Sequence, residues 1–305
     1  MTAARRAAGV LLALACVPLA GCFHHAAPRG NESRAGSTPS PPSPAAKAGS
    51  RYKQDRDSIP DGPPPDVSKI PEPVPKAEPR SQYGNKSPYT VLGESYRVLP
   101  SAQGYVERGI ASWYGNKFHG FTTSTFETYD MYSYSAAHKT LPLPSYARVT
   151  NLENGRSVVV RVNDRCPFVQ NRIIDLSYVA AVKIGVWPKG TAMVEVRAID
   201  PAHPDKVPPL RDAGIRTANA APEKTPKPAL YLQVGAYGDR GNAEHAAQVV
   251  RAARLGDVRV IAAEVNGRTV QRVRLGPLAD VDAADRLAPK VRALGLGEPR
   301  VAIED

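Results

Sequence analysis

Two side chains in the middle of the sequence can move protons or assist proton movement, and a third can attack an electrophile. Asp164 stands in Val162-Asn163-Asp164-Arg165, His138 in Ala137-His138-Lys139, and Cys166 two residues beyond Asp164. A carboxyl and an imidazole are the usual groups of general acid–base catalysis, and a Cys with a His offers the nucleophile and base of a peptide-cleaving enzyme. Plainer roles stand beside these. Asp164 reads equally as a turn residue that bonds its own backbone or pairs with Arg165, and His138 as a core histidine. His24-His25, with or without His203, make a weak metal-ligand set, because they fall in proline-rich stretches where solvent exposure is expected. Nothing in the sequence calls for a metal or an organic cofactor.

The elements that must position these residues are short strands. Tyr146 to Asn151 and Ser157 to Asn163 are apolar, β-branched runs separated by Asn154-Gly155, a tight-hairpin pair. Leu176 to Ile184 predicts a short helix with Ser177 as N-cap and Gly185 as its stop. Ala192 to Ile199 then alternates as a strand. Short strands with one small helix predict a mostly β barrel.

Several ordered motifs here resemble one family. Gly109-Ile110-Ala111-Ser112-Trp113-Tyr114-Gly115, Phe118-His119-Gly120, Tyr129-Asp130-Met131 and Ala136-Ala137-His138-Lys139-Thr140-Leu141-Pro142 are similar to the signature of the rare lipoprotein A family, the septal ring lytic transglycosylases. Val162-Asn163-Asp164-Arg165 and Arg172-Ile173-Ile174-Asp175-Leu176-Ser177 belong to the same pattern. The resemblance implies a double-psi β-barrel. It also implies cleavage of the β-1,4 bond from N-acetylmuramic acid to N-acetylglucosamine, leaving a 1,6-anhydro end. Hydrolases normally need two carboxyl groups, one for the leaving oxygen and one for water or attack. When the sugar's own C6 hydroxyl attacks, one acid that turns base serves both halves.

By resemblance that role falls on Asp164, with His138 and Glu127 completing the catalytic site. An Asp near its reference pKa of ~3.9 is a poor acid at neutral pH, so burial or a like charge must raise it, and Glu127 is the expected charge. His138 would relay the proton or hold the carboxyl's orientation. Tyr114, with Trp113 and Phe118, is an aromatic candidate for stacking on sugar rings, core packing being the default for Trp113. The chain departs from the family twice. Residues 121–127 read Phe-Thr-Thr-Ser-Thr-Phe-Glu where relatives show an arginine and then Thr-Ala-Asn-Gly-Glu, so an altered turn before Glu127 is expected. Cys166 replaces a glycine, which predicts a local backbone change.

The N-terminus reads as an export signal: Arg5-Arg6, an apolar stretch from Ala7 to Leu19, then Leu19-Ala20-Gly21-Cys22. The last four residues resemble a bacterial lipobox, which makes residues 1–21 the signal and Cys22 the lipidated mature start. The apolar run is shorter than the ~20 residues of a membrane span. Phe23 in place of the usual inner-membrane retention Asp points to an outer-membrane anchor facing the periplasm. With Cys16 removed and Cys22 acylated, only Cys166 remains, so no intrachain disulfide is expected.

Half of the thirty prolines lie between Phe23 and Pro100, so residues 22–100 are expected to be a disordered tether spanning roughly 50 Å as a flexible coil. Residues 200–229 form a second linker, leaving folded blocks at 101–199 and 230–305. The net charge of +11 would suggest nucleic acid, but export argues against it and leaves anionic wall polymers, lipid headgroups or mere solubility.

The second block orders as strand, helix, strand, strand, helix, strand, with Asn242 as a helix cap and Pro289 interrupting the last helix. Alternation places Leu232, Val234 and Ala236 inward and Tyr231, Gln233, Gly235 and Tyr237 outward, with Arg272 and Arg274 sharing one side of the next strand. Tyr231 to Tyr237 and Arg272 to Leu278 resemble the SPOR domain, which implies a ferredoxin-like fold binding glycan strands stripped of stem peptides. Gln233, Tyr237, Arg272 and Arg274 are then the substrate-binding candidates. Two functions follow as alternatives: a lipid-anchored transglycosylase working with division proteins at the septum, or a non-catalytic glycan-binding lipoprotein that tethers or recruits partners there.

Overall fold

The computed structural model describes residues 58–59, 61–203, 228–265 and 267–304. Its first domain is a closed six-stranded barrel built from β3 (Val106–Tyr114), β4 (Ser135–His138), β5 (Ser145–Asn151), β6 (Ser157–Asp164), β7 (Arg172–Ser177) and β8 (Ala192–Ile199), in the order β3-β7-β4-β6-β5-β8. The pairs β3–β7 and β4–β6 are parallel and the other pairings antiparallel. Alternating Val158, Val160 and Val162 on β6 and Val194 and Val196 on β8 point into a shared core and are at most 1% exposed. Period-two patterning therefore sets the register, since a one-residue slip would turn this set to solvent. Helix α1 (Tyr178–Ile184) follows β7 directly. Ser177 stands at its N-cap without a side-chain capping bond, its hydroxyl accepting from the Ser135 amide instead, and Gly185 ends the helix at φ 75°. That left-handed conformation carries no steric cost for glycine.

The proline-rich segment ahead of the barrel differs from the expected tether. Residues 61–100 are packed on the barrel and include a hairpin of β1 (Tyr89–Val91) and β2 (Glu94–Tyr96). They have no core of their own, which is why composition reads them as disordered. Their apolar residues Val67, Ile70 and Leu99 lean instead on the barrel core. Glu72 pairs with Lys183, Glu78 with Arg161, and the Ser81 and Leu99 amides donate to the carbonyls of Leu143 and Thr140. The segment is a strap whose partners lie roughly 40 to 110 residues away in sequence. Residues 1–57, with the signal and Cys22, and most of the second linker lie outside the described residues.

The second domain is a four-stranded antiparallel sheet in the order β10-β11-β9-β12, from β9 (Ala229–Tyr237), β10 (Val258–Val265), β11 (Arg268–Leu278) and β12 (Arg300–Glu304). Helices α2 (Arg240–Ala252) and α3 (Val281–Arg292) bury Ala243, Ala246, Ala247 and Val250, and Val281, Ala284, Ala288 and Val291. Asp239, not Asn242, caps α2: its carboxylate accepts from the Asn242 amide at 2.8 Å. Pro289 sits within α3 without ending it. Two side assignments change. Ala236 is exposed and Tyr237, expected to face outward, packs against the helix-side core, because the β9–β11 pairing slips between Val273 and Arg274 and breaks strict alternation; Tyr231 is buried but keeps its side, between the core residues Leu230 and Leu232.

Candidate functional site

The barrel register draws the polar residues of separate motifs into one row. Ser112 on β3 pairs with Asp175 on β7, Asp175 with Ala137 on β4, and Ala137 with Asp164 on β6. Partners in register project from the same face of a sheet. Two carboxyls thus flank a single alanine, Ala137, in the register of the sheet. Asp164, Cys166 and Asp175 are each hemmed in by protein yet keep partial solvent access.

Asp164 is held by the loop that departs from the family pattern. Its Oδ1 accepts from the Ser124 amide at 2.8 Å, the Ser124 hydroxyl at 2.6 Å and the Arg165 amide at 2.7 Å. Burial raises the carboxyl above its ordinary range, and these hydrogen bonds pull the other way. Burial wins, so a like charge is not the leading cause. The neighbouring carboxyl is Asp175, which the motif Arg172 to Ser177 contains but which no local signal marks as functional. Burial pushes Asp175 up to about 6, against hydrogen bonding from Ser112, with the charge of Asp164 adding to the rise. The Cys166 thiol lies against Asp175, and burial together with the two carboxylates pushes it well above its usual range. A thiol kept protonated this way is no nucleophile. Cys166 also takes no positive φ, so the side chain replaces glycine without a left-handed backbone.

Glu127 is placed on an ion-pair chain. Arg161 grips it with Nη1 at 2.6 Å and Nη2 at 2.9 Å, and Asn163 Nδ2 donates at 2.8 Å. The same guanidinium holds Glu78 of the strap through Nε and Nη2, both at 2.9 Å. Burial alone would raise Glu127, but Arg161 and Asn163 bring it below its ordinary value, and Glu78 falls to about 2. Glu127 is therefore a clamped carboxylate. Glu127, Arg161 and Asn163 border a cavity of about 440 Å³ that Ile70 and Pro71 of the strap also line.

The turn before Glu127 survives the loss of Asn-Gly. Phe126 itself takes φ 67°, its amide donating to the Thr123 carbonyl, and the Thr123 amide donates to the Glu127 carbonyl. His138, by contrast, is enclosed at 2% exposure. Its Nδ1 accepts from the amides of Thr140 at 3.1 Å and Leu141 at 3.0 Å, which assigns the proton to Nε2, 2.8 Å from the Tyr105 hydroxyl. Tyr105 in turn donates to Glu107. Burial, then Arg165 and Lys139, lower the imidazole to about 3, so it is neutral. Both ring nitrogens are committed. Arg165 completes the arrangement by donating Nη1 to the carbonyls of His138 at 2.8 Å and Leu141 at 2.6 Å.

Tyr114 stacks on Tyr129 with centroids 4.1 Å apart and is 7% exposed, so its ring is part of the core. Trp113 packs on Tyr178 and Phe118 on Tyr114. The exposed aromatic residues next to the carboxyls are others, Tyr83 and Phe126, which sequence reasoning did not single out. In the second domain Gln233, Tyr237 and Arg272 keep partial exposure, while Arg274 is buried, pairs with Glu304 and lies 5.9 Å from the Tyr231 ring. Among the described residues no group of three His, Cys, Asp or Glu side chains is arranged to hold a metal ion. His203 pairs with Asp200, while His24 and His25 lie outside the described residues.

Comparison with known proteins gives consistent matches. A family profile described as "Lytic transglycolase" matches residues 106–196, and the SPOR domain profile matches residues 226–299. An endolytic peptidoglycan transglycosylase RlpA from Pseudomonas aeruginosa is 40% identical over 283 residues, covering 79% of this chain and 82% of the relative. The protein of the same description from Vibrio cholerae is 41% identical over 259 residues, covering 81% and 87%. The solved RlpA SPOR domain from Pseudomonas aeruginosa is 32% identical, covering 24% of this chain and 96% of that one, at a TM-score of 0.23.

Proposed function

Because the chain belongs to the RlpA family of endolytic peptidoglycan transglycosylases, we propose that it cleaves the N-acetylmuramic acid to N-acetylglucosamine bond of glycan strands stripped of stem peptides, leaving 1,6-anhydro ends. The observation that supports this most is the Asp164 carboxyl, raised by burial at the end of β6 while its residue keeps partial solvent access. Protonated, it gives its proton to the glycosidic oxygen as the C1–O bond breaks. The resulting carboxylate then takes the C6 hydroxyl proton as that oxygen bonds to C1. The proton count closes on one residue, and no water is consumed.

The other residues support that carboxyl. Asp175, pushed up to about 6 by burial and in part by the charge of Asp164, is the second carboxyl beside the proposed acid. Glu127 stays ionised on Arg161 and faces the adjoining cavity, where a carboxylate stabilises positive charge developing on the sugar ring. His138 is a positioning residue: with both nitrogens engaged, it fixes the 138–141 turn that Arg165 grips while the Arg165 amide holds Asp164.

Gln233 and Arg272 offer a polar sheet face to the glycan strand, and Arg274, in register with Gln233, belongs to the same face. Cys22, acylated, anchors the protein to the outer membrane facing the periplasm, where division proteins at the septum are the partners. The chemical nature of the released ends tests the reading, with glycan binding and no product as the outcome that favours a non-catalytic tether.

A further inference from the structure

The least economical feature near the carboxyl pair is Phe126. A bulky residue at φ 67° is a genuine outlier that costs about 1–3 kcal/mol, and such strain persists where surrounding structure enforces it. Yet the ring is not buried in exchange: Phe126 is 64% exposed. Its main contact is another exposed ring, Tyr83 of the strap at 47% exposure, with centroids 4.2 Å apart and planes tilted by 42°. The two segments are locked together behind the rings. A side chain at Gly84 would meet the Ser124 carbonyl at 2.8 Å, and Arg165 Nε donates to the Gly84 carbonyl at 2.8 Å. Ser124 is the residue that holds Asp164. The pair is therefore tied, through Gly84 and Ser124, to the same bonds that fix Asp164.

We propose that the Tyr83–Phe126 pair is a stacking platform for one pyranose ring of the glycan strand, adjacent to the ring that is cut. The occupant follows from chemistry. A sugar ring has an apolar C–H face and a hydroxyl edge, and the platform has two tilted aromatic faces whose sequence neighbours include Ser81, Ser124, Thr125 and Glu127. The patch is two rings wide, which suits a single ring and is too small for a protein partner. The proposal rests on glycan being the substrate. It adds that binding at the cleft depends on Phe126, where the family pattern has glycine, and on a strap residue outside the barrel.

The test compares Phe126→Gly, Phe126→Trp and Tyr83→Ala with the parent protein, measuring initial rates on soluble, stem-peptide-free glycan oligomers. Phe126→Gly relieves the backbone cost while removing the ring, so loss of folding does not cloud the result. The expected outcome is KM raised about tenfold in Phe126→Gly and in Tyr83→Ala, kcat within about twofold, and near-parental KM in Phe126→Trp. Unchanged KM in Phe126→Gly, or equal loss of kcat in all three, overturns the platform. In parallel, the full chain carrying Asp164→Asn is labelled with ¹⁵N and titrated with the same oligomers. Shifts at the amides of Gly84, Ser124 and Phe126 that vanish in Phe126→Gly support the platform even if the parent protein releases no product, the result that defeats the catalytic reading alone. No shift at those amides overturns it.

Discussion

Ser124 donates both its amide and its hydroxyl to a single oxygen of Asp164, at 2.8 and 2.6 Å, so the loop that departs most from the family pattern is the one that holds the proposed acid. The family pattern has alanine where Ser124 stands, which leaves the amide bond and removes the hydroxyl one. Hydrogen bonds to a carboxylate favour its charged form. Ser124→Ala should therefore raise the Asp164 pKa further. Since the acid must be protonated, the alkaline limb of the pH–rate profile should move to higher pH. A limb that stays in place or moves down counts against Asp164 as the acid.

Asp175 is the second carboxyl of the row, pushed up to about 6. A carboxyl whose folded pKa lies above its unfolded value favours the fold below pH 3.8 and works against it as pH rises through 6. Asp175→Asn should therefore stabilise the barrel at pH 7 by on the order of 2 kcal/mol, read from denaturant midpoints.

The neutral imidazole of His138 gives the opposite sign. Its folded pKa of about 3 lies below the unfolded value of 6.5, so its contribution is complete above pH 6.5 and is lost as pH falls toward 3. Urea midpoints of the parent protein should drop across that window by an amount on the order of a few kcal/mol in free energy. His138→Gln, which cannot charge, should start less stable and decline less steeply there.

The strap makes a prediction that composition alone contradicts. The amides of Ser81 and Leu99 donate to Leu143 and Thr140 of the barrel, so they should exchange with solvent far more slowly than coil amides. Glu78→Ala removes one side of the Arg161 fork and should speed exchange at Ser81. Coil-like exchange in the parent protein would restore the tether.

What could be read from the sequence was what depends on neighbours in sequence. The strands of the barrel and of the C-terminal sheet carry their own period-two signal, and Gly185 marks the end of α1 without help from the fold. Three features depend on distant partners and left no such trace. The strap is apolar only at scattered positions such as Val67 and Ile70, which find their core in another part of the chain. Asp175 becomes a site residue because β7 lies between β3 and β4, which no local pattern encodes. Tyr237 turns to the helix-side core because the β9–β11 pairing slips by a residue between Val273 and Arg274. In the catalytic region the type of residue was legible and its state was not. Burial raises Asp164, whereas Glu127, the expected source of that rise, is occupied by Arg161.

The most direct measurement of the central claim is mass spectrometry of the fragments released from stem-peptide-free glycan by the parent protein and by Asp164→Asn. The account predicts 1,6-anhydro ends from the parent protein and a rate lower by about a hundredfold or more in Asp164→Asn, with glycan binding retained. Reducing ends in place of anhydro ends, or undiminished release by Asp164→Asn, would contradict it.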